Sequence, residues 1–154
     1  MAQGDLTIFE SFAEELGQEL HHFDNDLTAI RLGIVDDTIT PTAADRLNGT
    51  TPRWSDYSAN QVSAAGNYVT GGVTLTSVTW TPEVDGVATL NAANYTINQD
   101  GGGFTDARWA ILYNDNADND NAIAFIDLGG TVSEQDGDIT FAWDASGILT
   151  VTVT

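Results

Sequence analysis

A mainly β fold is what this 154-residue sequence predicts, as an antiparallel β-sandwich or barrel of about eight strands behind an N-terminal amphipathic helix or arm. Three observations point there. Short runs rich in Val, Ile, Thr and aromatic residues recur from residue 27 onward, glycine-containing turn signals punctuate them, and helical periodicity is confined to the start of the chain.

The N-terminal element comes first. Phe9, Phe12, Ala13, Leu16, Leu20 and Phe23 recur at steps of one, three and four, with Glu10, Glu14, Glu15 and Glu19 between them. That spacing predicts an amphipathic helix over Leu6–Phe23. Thr7 and Glu10 have the spacing of a capping box, Gly17 weakens the helix by about 1 kcal/mol relative to alanine, and Asp24-Asn25-Asp26 ends it. The expected organisation is therefore an arm at 1–26 and a β body at 27–154. The apolar side of the arm (Phe9, Phe12, Leu16, Leu20) is a candidate contact face for a neighbouring subunit.

Within the body, Ile30, Leu32 and Ile34 alternate with Arg31, Gly33 and Val35, as a half-buried strand does. Further strands are predicted at Val73–Trp80, Val87–Leu90, Tyr95–Asn98, Arg108–Tyr113, Ala122–Leu128, Ile139–Trp143 and Ile148–Val153. Gly71-Gly72, Asp85-Gly86, Asp100-Gly101-Gly102-Gly103, Gly129-Gly130, Asp136-Gly137 and Ser146-Gly147 separate them. Residues 36–66 lack periodicity and contain Pro41 and Pro52, so they read as a long irregular loop of the kind that makes contacts. Trp54 and Tyr57 within it are the aromatic residues expected at a surface. Trp80, Trp109 and Trp143 fall in strand patterns, where large aromatics are core or interface.

Charge narrows the partners. There are 23 acidic residues against four basic ones, all arginine, for a net charge of −19. A phosphate backbone needs clustered cations and an anionic membrane surface needs a basic patch, so neither nucleic acid nor membrane is an expected partner. Without cysteine there is no disulfide framework and no thiolate metal site. No basic n-region or run of roughly 20 apolar residues is seen, so assembly in a cytoplasm is expected.

Chemistry-bearing motifs are sparse. The two histidines, His21 and His22, are adjacent and point in different directions, which suits neither a catalytic triad nor a shared metal ion. Asp127, inside the apolar run Ile123–Leu128, and Asp144, after Trp143, stand out among the carboxylates, but they are expected to face solvent or to bond turn amides at strand ends. Asn116, Asp118 and Asp120 have the alternating oxygen-ligand spacing of a calcium loop, with Asp127 at the twelfth position. Asn121 stands where that loop needs glycine, and an Asp replaces its glutamate; both depart from a calcium loop, and a hairpin tip of residues that tolerate the left-handed region is the expected reading of the tract. No cofactor and no enzymatic activity are expected, since no nucleophile–base pair is visible.

Ordered short motifs carry a resemblance. Tyr113-Asn114-Asp115, the run Ala122–Gly130 and the run Ile139–Thr150 resemble the C-terminal half of a family of small structural proteins of tailed-phage virions. Tyr57–Val62 with Tyr68-Val69-Thr70-Gly71-Gly72 is similar to that family's central segment, and His22–Asp26 to the approach to its first strand. Asn67 in place of glycine and the large Trp109 depart from its pattern. The resemblance implies a capsid decoration (cement) protein that binds the outer surface of the mature head and stabilises it. It further implies the major capsid protein as partner, self-association as a homotrimer and a location on the virion. Two other expectations stand beside it: a carbohydrate-binding or tail-associated adhesin with Trp54 and Tyr57 as platform, and a tail-tube subunit.

Overall fold

The computed structural model describes residues 4–47, 49–82 and 86–153. The turn residue Asp85 and residues 1–3 of the expected arm lie outside them. Among the described residues the chain is mainly β, as the sequence predicts, with strands β1 (Leu6–Ile8), β2 (Ile30–Val35), β3 (Val73–Thr74), β4 (Thr79–Pro82), β5 (Val87–Asn91), β6 (Tyr95–Ile97), β7 (Ala107–Asn114), β8 (Ala122–Val132), β9 (Ile139–Phe141) and β10 (Leu149–Thr152). Two short helices, α1 (Phe12–Gly17) and α2 (Trp54–Tyr57), and a 3-10 turn at Ser58–Asn60 complete it.

All strand pairs are antiparallel and form three sheets: β1-β8-β7-β2-β3, β10-β5-β4 and β6-β9. The long β7–β8 hairpin is the centre of the first. Its neighbour β2 pairs with β7 along its whole length, from Ile30 opposite Asn114 to Val35 opposite Trp109. Ile30, Leu32, Ile34, Ala110, Leu112, Ala124 and Ile126 face one side and join Leu90, Leu149, Ile97 and Phe141 of the smaller sheets in the main core. The other side of the same sheet is also closed. Val35, Trp109, Ile111, Tyr113 and Phe125 lie there against Phe9, Trp54 and Tyr57.

The N-terminal segment departs from expectation. Leu6–Ile8 is a strand paired with Ile126–Ala124 of β8, and helix occupies only Phe12–Gly17. Thr7 is thus in a sheet instead of capping a helix. An edge of β8 that would otherwise leave backbone groups unpaired outweighs the helical periodicity of a segment too short to be stable alone. The predicted strand at Val73–Trp80 is two strands, broken where Ser77 adopts φ 51°.

Residues 36–66 are less irregular than their composition suggests. The Val62 N–H donates to the Ile34 carbonyl (3.1 Å) and the Asp36 N–H to the Asn60 carbonyl (3.0 Å), so the segment returns alongside β2. Its helix α2 lays Trp54 on the sheet, where a Cβ at Gly33 would stand only 2.3 Å from the indole. Glycine at 33 is what lets the cover close. Gly72, at φ +82°, is equally constrained, because a Cβ there would lie 2.4 Å from the Leu32 carbonyl oxygen.

Candidate functional site

A cleft of about 950 Å³ lies between the end of β8 and the segment running through β9 to Ile148. Asp127, Thr131, Asp138, Trp143 and Asp144 are among its lining residues. The structure thus brings together the two carboxylates that the sequence singles out. Asp127 sits on β8, where its carboxylate accepts from the Arg108 guanidinium and from the Gly129 N–H (2.6 Å). The Arg108 hydrogen bond holds the Asp127 carboxyl below its ordinary range despite burial, and Arg108 itself rests 4.2 Å above the Trp109 ring. Asp144 accepts from the Ser146 hydroxyl (2.6 Å) and N–H (2.8 Å), which lower its pKa also. Glycoside hydrolysis needs one carboxyl held protonated as the acid. Here both are held ionised. Trp143 donates its indole N–H to the Ala93 carbonyl (3.0 Å) and packs partly against the main core, which fixes its ring at the rim of the cleft.

The histidines follow the expected divergence: His21 is buried and His22 exposed. The helix ends at Gly17, before His21, and what holds the imidazole is a buried carboxylate. His21 Nε2 lies 2.7 Å from Glu15, whose other oxygen accepts from the Ser11 hydroxyl at 2.9 Å. His21 Nδ1 faces the Asn114 amide nitrogen at a long 3.5 Å, which makes Nε2 the donor to Glu15. Asn114 also donates to Asp26 (2.6 Å), and Asp26 further accepts from Asn116 (2.5 Å) and the His22 N–H (2.9 Å). Burial pushes Asp26 up, but these hydrogen bonds together outweigh it and its pKa is lowered. Serine and imidazole both bond to the acid here and not to each other, the wrong order for a nucleophilic triad. Stacked flat against Phe23 (5.4 Å between centroids), the imidazole belongs to a polar brace inside the core.

The calcium-like tract forms the tip of the β7–β8 hairpin. The Ala117 N–H bonds back to Asn114 and the Asp120 N–H to Ala117, with Asp120 in the left-handed region at φ 52°. Asn116 is committed to Asp26, while Asp118 is exposed. Asp127 does not join them. It lies opposite Trp109 in the ladder, along the strand from the tip, and pairs with Arg108. Among the described residues no three of His, Cys, Asp or Glu gather as metal ligands.

The expected contact face is mostly interior. Phe9, Phe12, Trp54 and Tyr57 are 1%, 5%, 8% and 0% exposed, so they cover the protein's own sheet and are closed to a second chain or a glycan. Trp54 stacks on Tyr113 (5.2 Å, 4° between planes), and the Tyr57 hydroxyl donates to Asp45 (2.8 Å). The reason is that Val35, Trp109, Ile111, Tyr113 and Phe125 make the outer face of β2, β7 and β8 apolar as well, which requires cover. Leu16 and Leu20 remain partly exposed. Leu20 lines a second, smaller groove of about 350 Å³ with Arg46, Arg53 and Asn121.

Other buried polar groups escape sequence reasoning. Glu134, fully buried, accepts from the Asn67 N–H (2.7 Å) and the Phe104 N–H (3.4 Å), and a Cβ at Gly66 or Gly103 would meet its carboxyl at 2.6 or 2.5 Å. Part of the glycine tract at 101–103 is therefore room for a carboxylate, a signal visible only once its partner is known. Comparison with known proteins gives no match to a family model, a curated protein or a solved structure.

Proposed function

We propose that the chain is a binding subunit of a tailed-phage particle, a capsid decoration protein acting through contact area and not through chemistry. The observation that carries this reading is how the motifs of the resemblance meet in space. Tyr57 and Tyr113 belong to the same apolar cluster on the outer face of the main sheet. The Tyr113 hydroxyl donates to the Gly71 carbonyl, and the Tyr68 hydroxyl accepts from the Ile34 N–H at 2.8 Å. Asp26 is tied to Asn114 and Asn116 by the bonds described above. Segments distant in sequence thus form one scaffold, which is what a fold-determining pattern shared among structural proteins would do.

In this reading the acidic surface faces outward, and the shell contact falls outside the sealed aromatics, with Leu16 and Leu20 the members of the original set still within reach. Mass spectrometry of purified particles tests it. A copy number comparable with that of the major capsid protein is the expected result; a few copies per particle, or none, would sink it. The half-exposed Trp143 at the cleft rim favours one alternative, a carbohydrate-binding adhesin. Saturable glycan binding lost in Trp143→Ala would select that reading instead.

A further inference from the structure

In the sheet β10-β5-β4 not one residue carries a charge, in a chain of net charge −19. Its register sets Thr81, Thr89 and Thr150 in a row across the three strands. By the two-residue alternation of a strand, Thr79 and Thr152 share that side, while Trp80, Leu90 and Leu149 turn to the core. Thr79, Thr81, Thr150 and Thr152 are exposed. Among the described residues β10 has no neighbour on its outer edge. Proteins guard such edges with charge, proline, bulges or very short strands. β4 ends in Pro82, and the three-residue β1 lies between Asp5 and Glu10. The run Ser146–Val153 containing β10 has neither charge nor proline, and Val153 beyond it is 77% exposed.

We propose that β10 is a self-association edge: two copies pair β10 to β10, antiparallel, about a twofold axis normal to the sheet. The two three-stranded sheets then become one continuous sheet with all its threonines on one side. Charge selects a second copy as the occupant. Paired strands stand about 4.8 Å apart, well inside the screening length of about 8 Å at physiological ionic strength. Two chains this acidic can approach so closely only where neither presents carboxylates, whereas a basic partner is drawn to the acidic surface elsewhere. The strand is also self-complementary. Thr150-Val151-Thr152 reads the same in both directions, so pairing centred on Val151 sets Thr150 against Thr152 of the second copy. The chain already uses such threonine pairs, at Thr89–Thr150 (3.5 Å) and Thr96–Thr140 (2.9 Å). This interface stands independently of the decoration reading.

Light scattering on the eluting 154-residue chain tests it. The wild type should run at twice the 16.4 kDa chain mass at high concentration. Thr150→Glu/Thr152→Glu should be monomeric at the same concentration with unchanged far-UV circular dichroism, and mixing it with Thr150→Lys/Thr152→Lys should restore the doubled mass. Thr79→Glu/Thr81→Glu, on the far edge, should leave the dimer intact. A wild type that stays monomeric at millimolar concentration overturns the proposal. So does a dimer that survives the β10 glutamates, or one that is lost with the β4 glutamates. Should the double variant fail to fold, Thr152→Glu alone, at the strand end, is judged by the same masses.

Discussion

The five-stranded and three-stranded sheets bury themselves by different rules. In β2, β7 and the Ala122–Leu128 part of β8 nearly every residue is buried, because the main core closes one face and Phe9, Trp54 and Tyr57 close the other. In β4, β5 and β10 one face is buried, and the other shows threonines to solvent. A strand closed on both faces depends on chain segments outside its own sheet. A strand closed on one face depends mainly on the core beneath it, so damage in the two regions should differ in size and reach.

The largest effect should come from removing residues 1–22, which deletes β1, Phe9, Phe12, Glu15 and His21 together. That opens the β8 edge, uncovers part of the outer face and strips one arm of the polar brace. The truncated chain should lose cooperative thermal unfolding and near-UV circular dichroism; a sharp, reversible melt would show that the N-terminal segment is dispensable. Trp54→Ala leaves the outer cover without its largest ring, and a buried Trp truncation costs about 3–5 kcal/mol, readable from urea unfolding. Glu15→Ala leaves the Ser11 hydroxyl and His21 N–H buried without their acceptor, a cost of about 1–3 kcal/mol. An unfolding free energy unchanged in that variant would mean water replaces the carboxylate.

How much of this was legible in the sequence depends on the kind of signal. Strands β7 and β8 are visible as apolar runs between turn signals, whereas β2 reads as a half-buried alternation, yet all three have covers on both faces. What the sequence withholds is which segments provide them. Phe9 and Phe12 lie at helical spacing, yet periodicity names a buried face without naming the surface that covers it, and pairing with β8 decided the matter. Trp54 and Tyr57 sit in a tract with no period, so their burial is not readable there; that of Trp54 depends on Gly33 in β2, whose missing Cβ admits the indole. Asp127 and Asp144 were identifiable as unusual carboxylates, whereas Arg108 as the partner of Asp127 required the register of the hairpin.

Acid should separate the two sheets next. Asp127 is lowered by Arg108, and Asp26 is lowered because its hydrogen bonds exceed the effect of burial. A carboxyl whose folded pKa lies below the unfolded value, about 3.9, contributes stability that is present above that value and lost as pH falls through the folded pKa. Melting temperature should therefore hold from neutrality to about pH 5 and fall below about pH 4. Asp127→Asn should lower the neutral plateau and soften the fall. No titratable group lies in β4, β5 or β10, so variants there should keep the wild-type pH profile.

The smallest effect is expected on the threonine face itself. Thr81→Ala removes an exposed hydroxyl and one methyl from a row whose neighbours, Thr89 and Thr150, retain their own contact at 3.5 Å. Nothing buried loses a partner and no cavity forms, so the change in unfolding free energy should stay within about 0.5 kcal/mol. The measurement belongs at low protein concentration, where an association through β10 contributes nothing to stability. Repeating it at high concentration then sharpens the comparison. Thr150→Ala should be as mild as Thr81→Ala when the chain is dilute, and costlier when concentrated, because only Thr150 lies on the pairing edge. A cost above about 1 kcal/mol for Thr81→Ala in dilute solution would exceed what a solvent-facing site accounts for. It would mean that the threonine face is covered within the single chain, and that the contrast between the two sheets is one of degree.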